Sequence, residues 1–112
     1  MKESPIFVKS YDFTRWLLEH TLKFPKSQRF VMAKRVEEAA LSFHDLLLLA
    51  VKEGKEKKKR VLSQAGFELE RLRHYLRLCK DLNLLSLNQY EYTSREMVEI
   101  GRLLGGWLKK LE

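Results

Sequence analysis

The chain has a single cysteine, Cys79, so no internal disulfide can brace it, and stability must come from packing. The lone thiol fits a reducing compartment, and no basic leader followed by an apolar run is visible, so the expectation is a cytoplasmic protein. Its longest apolar run, Leu46 to Val51, spans six residues, far short of the ~20 needed to cross a bilayer. Only two prolines and five glycines punctuate 112 residues. That scarcity, with no strand-like alternation and no Asn-Gly hairpin signal, excludes a chain of short strands and predicts an all-α fold. Catalytic patterns are missing too. No phosphate loop occurs, and Gly105-Gly106 lacks the strand and spacing of a nucleotide fingerprint. His20, His44 and His74 have no partnered nucleophile nearby in sequence. His74 and Cys79 are five apart, about 140° around a helix, and cannot grip one metal ion from the same face. No enzyme, metal site or cofactor is expected.

What the chain does have is positive charge: 22 Lys and Arg against 15 Asp and Glu, a formal +7. Residues 54–82 hold nine basic and four acidic groups, so +5 of that excess lies in 29 residues. Such concentration exceeds what a solvated surface needs and suits a polyanionic partner.

Helix signals divide the chain into four. Pro25 ends a helical pattern over about 6–24, and Ser27 can cap a second helix over 28–53. Gly54 suits the cap after it, and a third helix follows over 56–82. The period fails between Asn83 and Tyr92, and Thr93-Ser94-Arg95-Glu96 reads as a capping box opening a fourth helix over 94–111. Leu62, Ala65, Leu69, Leu72, Leu76 and Cys79 form the third helix's core seam, and Met97, Ile100, Leu104, Trp107 and Leu111 the fourth's. Val36, Ala40, Phe43, Leu47 and Ala50 serve the second, and Phe7, Tyr11, Thr14, Leu18 and Leu22 the first. Short connections between amphipathic helices predict one domain, an up-down-up-down antiparallel four-helix bundle.

The seams leave apolar residues over. Phe67 and Leu78 lie far around the third helix from its leucine seam. Phe13 and Leu17 form a second stripe on the first helix, and the Leu46–Val51 run must turn a leucine, Leu48, outward. Stripes of this kind predict burial against other subunits, with Phe13, Leu17, Leu48, Phe67 and Leu78 as candidate oligomer contacts.

The charges sort by helical geometry as well. Arg73, Arg77 and Lys80 fall within about 60° of one another on the third helix. Lys57, Lys58, Lys59 and Arg60 crowd its N-terminus, where the helix dipole is already positive, so an external anion accounts for them better than local stability does. Arg102 lies in a stripe with Arg95 and Lys109 on the fourth helix. Together these are the candidate nucleic-acid-binding residues, acting on phosphates without sequence readout.

Several stretches resemble one family. Tyr11-Asp12, Trp16-Leu17-Leu18 and Phe24-Pro25-Lys26-Ser27-Gln28-Arg29-Phe30 come first, then Leu72-Arg73-His74-Tyr75-Leu76-Arg77 and Lys80-Asp81-Leu82. Leu85-Ser86, Gln89-Tyr90 and Ile100-Gly101-Arg102-Leu103-Leu104-Gly105-Gly106-Trp107-Leu108 complete the set. They are similar to the accessory variability determinants of diversity-generating retroelements, a branch of four-helix-bundle proteins. The Phe-Pro-x-x-x-Arg-Phe element also resembles the sister family encoded within ribosomal RNA intervening sequences. The resemblance implies a barrel-like homopentamer that associates with a reverse transcriptase and with RNA, and with DNA as a further partner, supporting mutagenic copying of template RNA. It carries over Arg73 and Arg77 as binding residues; the Lys57–Arg60 run rests on charge alone. The alternative expectation is a structural or protein-interaction bundle of the intervening-sequence type, without a polymerase partner.

Overall fold

Pro5 suits the first turn of a helix, where its fixed φ is already helical and its missing N–H costs nothing. In a computed structural model describing residues 4–112, it opens α1 (Pro5–Thr21). Leu22 to Phe24 turn out of that helix, Pro25 extends the chain at ψ 151°, and a short 3-10 turn covers Lys26–Gln28. The second helix, α2 (Met32–Val51), therefore starts four residues later than the sequence suggests. Ser27 does not cap it; the Gln28 side-chain oxygen accepts from the Met32 N–H at 3.3 Å instead.

A tight turn leads to α3 (Lys55–Asp81). Gly54 serves here as the N-cap of α3 at φ −72°, not as a left-handed cap on α2. The left-handed residue is Asn83, at φ 61°. It sits just past the end of α3, where the Leu84 N–H donates to Cys79 O at 2.7 Å and the Asn83 N–H to Lys80 O at 3.0 Å. That pair of bonds is a Schellman motif, and asparagine tolerates its backbone.

The fourth helix, α4 (Leu87–Lys110), begins seven residues before the expected start. Its capping box is Ser86 with Gln89: the Gln89 N–H donates to Ser86 Oγ at 3.1 Å, and Gln89 Oε1 accepts from the Ser86 N–H at 2.9 Å. Thr93 is an interior helix residue, fully buried, whose hydroxyl donates to Tyr90 O at 2.7 Å.

Antiparallel packing follows from pairs whose numbers rise on one helix as they fall on the other. Ser10 meets His44 and Thr21 meets Glu37 between α1 and α2. Gly66 faces Leu104 and Gly101 faces Leu69 between α3 and α4. Phe7 packs near Trp107, and Trp16 near Tyr92, between α1 and α4. Sequence neighbours pack together, α1 closes on α4, and among the described residues no diagonal pair brings its backbones close. The result is an up-down-up-down bundle of 42 × 25 × 24 Å. Leu17, Leu47, Leu62, Leu72, Leu76 and Ile100 are its largest fully buried side chains.

The core face of α1 departs from the sequence reading. Ile6, Ser10, Phe13, Thr14, Leu17 and Thr21 are buried, whereas Tyr11 and Leu22 are exposed. Phe13 and Leu17 are thus core residues of the single chain, and their place among the candidate oligomer contacts is corrected. Two of the inward hydroxyls are partnered across the α1–α2 interface: Ser10 Oγ lies 2.8 Å from His44 Nδ1, and Thr21 Oγ1 donates to Glu37 at 2.6 Å. Small polar side chains let α1 approach its neighbours closely without leaving polar groups unpaired.

Candidate nucleic-acid interface

Because the helices alternate in direction, each end of the bundle collects segments far apart in sequence. One end joins the α1–α2 connection to the α3–α4 connection; the other joins the starts of α1 and α3 to the ends of α2 and α4. The candidate cations distribute between these ends rather than along one stripe.

Arg73, Arg77 and Lys80 share the side of α3 that turns toward α4. Arg73 is forked onto Glu70 at 2.6 and 2.9 Å, which takes up part of its charge at an exposed site. Lys80 Nζ sits 5.0 Å from the centre of the Tyr90 ring and 3.5 Å from Asp81. Arg77 is exposed and, among the described residues, has no carboxylate partner. It is the most available anion-binding group of the three. A shallow cavity of about 400 Å³ beside them is lined by Glu70, Arg73, Tyr90, Ser94 and Val98.

Lys57, Lys58, Lys59 and Arg60 lie at the opposite end of α3, about 25–30 Å from Arg77 at 1.5 Å per residue. Lys57 approaches Glu53 at 3.5 Å and Lys59 approaches Glu56 at 3.8 Å, while Lys58 and Arg60 have no such partner among the described residues. The fold adds Lys109 and Lys110 to this end, from the last turn of α4. Lys110 lines a cleft of about 580 Å³ with Phe7, Val51, Trp107 and Arg102. Arg102 is forked onto Glu99 at 2.6 and 3.1 Å; that bond raises the guanidinium pKa and lowers the carboxylate's. Surface pairs of this kind contribute little to stability and can be exchanged for a phosphate.

The fold gathers a further cationic cluster at the α1–α2 corner. Between His20 and Val36 lie Lys23, Lys26, Arg29, Lys34 and Arg35, and no acid. All five are exposed, and none is ion-paired among the described residues. Lys34 and Arg35 occupy the first turn of α2, the positive end of its dipole, and that turn holds no acidic residue. Both ends of the bundle therefore carry clusters of cations.

Three of the candidate oligomer contacts are on the surface: Leu48, Phe67 and Leu78. They belong to two separate strips. One runs along the α1–α2 groove through Tyr11, Leu22, Leu41 and Leu48. The other follows the outer face of α3, where Phe67, 65% exposed, borders a groove of about 660 Å³ shared with Ser42 and Leu46 of α2. Arg71 braces this second strip, forked onto Glu68 at 2.6 and 2.8 Å and bonded to Tyr75 Oη at 3.2 Å.

No three His, Cys, Asp or Glu side chains converge as metal ligands among the described residues. Cys79 is buried in the core, and desolvation pushes its thiol pKa up to about 11, away from thiolate reactivity. Among the described residues no helix is long and apolar enough to cross a membrane.

The sequence profile of the bAvd-like family matches residues 6–111. No curated protein sequence matches the chain. In structure it is similar to a crystal structure of a protein of unknown function from the S23 ribosomal protein family of Bacteroides thetaiotaomicron. The TM-score is 0.82 at 20% identity, over 93% of this chain and 98% of that one. At that identity the likeness establishes the shared four-helix fold.

Proposed function

Because the chain belongs to the bAvd-like family, we propose that it is a non-catalytic, cytoplasmic accessory protein that self-assembles and binds RNA together with a reverse transcriptase, supporting mutagenic copying in a diversity-generating retroelement. The observation that carries this reading is the segregation of unneutralised cations to the bundle ends. Folding does not explain them: at α2 the cations oppose the helix dipole, and at the α1–α2 corner no ion pair uses them among the described residues. A polyanion gives each of them a partner and releases counterions as it binds.

Self-assembly is supported by the two apolar strips. They lie on different faces, α1–α2 and α3, so one strip of a chain can meet the other strip of the next. Head-to-tail contacts of that type close into a ring when the rotation between subunits divides the full turn evenly, and a fifth of a turn would build the homopentamer of the resemblance. In a ring each basic end is repeated once per subunit, multiplying weak phosphate contacts. DNA offers the same phosphates as RNA and is a second ligand in this reading.

The test compares Arg77→Ala with Arg102→Ala in RNA binding at low salt. Arg77 has no carboxylate partner, so its loss should weaken binding several-fold; Arg102 is forked onto Glu99, and its loss should matter less. Equal and negligible effects for Arg77→Ala and for the Arg73→Ala, Arg77→Ala double variant would remove the α3 stripe from the interface.

A further inference from the structure

The α1–α2 corner combines its five cations with exposed apolar groups that the core does not use. Phe30 is 78% exposed, and Val31 is exposed beside it. Phe24, from the same segment, is half-buried and packed against the core, so one aromatic anchors the corner while the other stands out from it. The segment is held in a defined shape. The Gln28 N–H donates to Pro25 O at 2.8 Å, the Arg29 N–H to Lys26 O at 3.2 Å and the Val31 N–H to Gln28 O at 3.2 Å. Gln28 then fastens the first turn of α2 through Met32. An exposed ring on a fixed turn loses little freedom when something flat covers it.

We propose that this corner is a single-strand-selective nucleic-acid site, in which Phe30 stacks on an unpaired base while Lys26, Arg29, Lys34 and Arg35 hold the adjoining phosphates. The proposal rests on the nucleic-acid reading above and extends it to a place and a strand state. An aromatic ring flanked by cations is what a single strand requires, because its bases present open faces beside a charged backbone. A duplex hides those faces and would use the cations alone. A sibling subunit is disfavoured as the occupant, since covering the corner would bury five cations that have no carboxylate partner among the described residues. An acidic protein segment would meet the charges but supplies no flat partner for the ring.

The test measures binding of a labelled oligouridine and a duplex RNA of equal length by fluorescence anisotropy, at one low salt concentration. Phe30→Ala should weaken oligouridine binding about 5- to 150-fold, the range for losing one base–aromatic stack, and leave duplex binding within about twofold. Phe30→Trp should retain oligouridine binding, and its indole emission should be quenched by oligouridine beyond the change seen in the native protein. Equal loss on both nucleic acids, or no loss on either, overturns the proposal. So does polyglutamate competing as well as unlabelled oligouridine, which would assign the corner to an acidic protein partner. A fall in molar mass by light scattering for Phe30→Ala also overturns it, by making the ring a subunit contact. If Phe30→Ala is silent while Arg77→Ala weakens binding, this inference fails and the broader reading stands. If the native chain binds no nucleic acid, both fall.

Discussion

Substituting Leu17 and Leu22 separately by alanine tests which face of α1 builds the core. Leu17 is 1% exposed and sits among the largest buried side chains, whereas Leu22 stands in solvent beyond the end of the helix. Leu17→Ala removes a buried isobutyl group and leaves a cavity that the surrounding helices fill only in part. Such changes cost about 2–5 kcal/mol. In a domain of this size each kcal/mol lowers the melting temperature by about 4 °C, so a fall of about 8–20 °C is expected. Leu22→Ala should change stability by no more than about 0.5 kcal/mol. Urea unfolding followed by circular dichroism reads both, and two protein concentrations separate folding from assembly, which makes stability concentration-dependent. A small cost for Leu17→Ala with a large, concentration-independent cost for Leu22→Ala would refute the packing described for α1.

Asn83→Gly should leave stability unchanged or improve it slightly. Asn83→Val should cost about 1–2 kcal/mol by forcing a branched side chain to φ 61°, as urea unfolding would show. Cys79 keeps its proton in the folded chain up to about pH 11 but loses it near pH 8.5 when unfolded. Its contribution is complete below the unfolded value and is lost as pH rises toward the folded one. The native protein should therefore lose stability faster than Cys79→Ala over that interval, by up to about 1.4 kcal/mol per pH unit, measured by urea unfolding across the series. Phe67→Asp and Leu48→Asp place charges on the two exposed strips. Each should leave helicity intact and reduce the molar mass seen by light scattering.

Helix number and direction were legible because three of the helices repeat apolar residues at helical spacing, and that spacing is what buries them. The α1 face was legible only at Thr14, since Ser10, Phe13, Leu17 and Thr21 are buried as well while Tyr11 and Leu22 lie outside. A count of apolar residues favours the wrong stripe when inward hydroxyls find partners such as His44 and Glu37 across the interface. The start of α4 was misplaced for a related reason. Ser86-x-x-Gln89 and Thr93-x-x-Glu96 carry the same capping signal, and a buried Thr93 conceals the helical period before it. The α1–α2 corner is obscured in the sequence because its five cations straddle a helix boundary, and adding Glu37 and Glu38 to the count cancels two of them. Spacing shows which pairs are possible but not which form, since Glu70 sits three before Arg73 and Asp81 four after Arg77. Arg73 and Arg102 carry carboxylates three residues upstream that engage them, while Arg77 has none engaged among the described residues.

The most direct test is the affinity of the native protein for single-stranded RNA over a series of salt concentrations. If cations at the bundle ends grip phosphates, log K falls linearly with log salt, with a slope of about −3 for four phosphates held. An affinity that ignores salt, or no binding at low ionic strength, would contradict the assignment of those cations to nucleic acid.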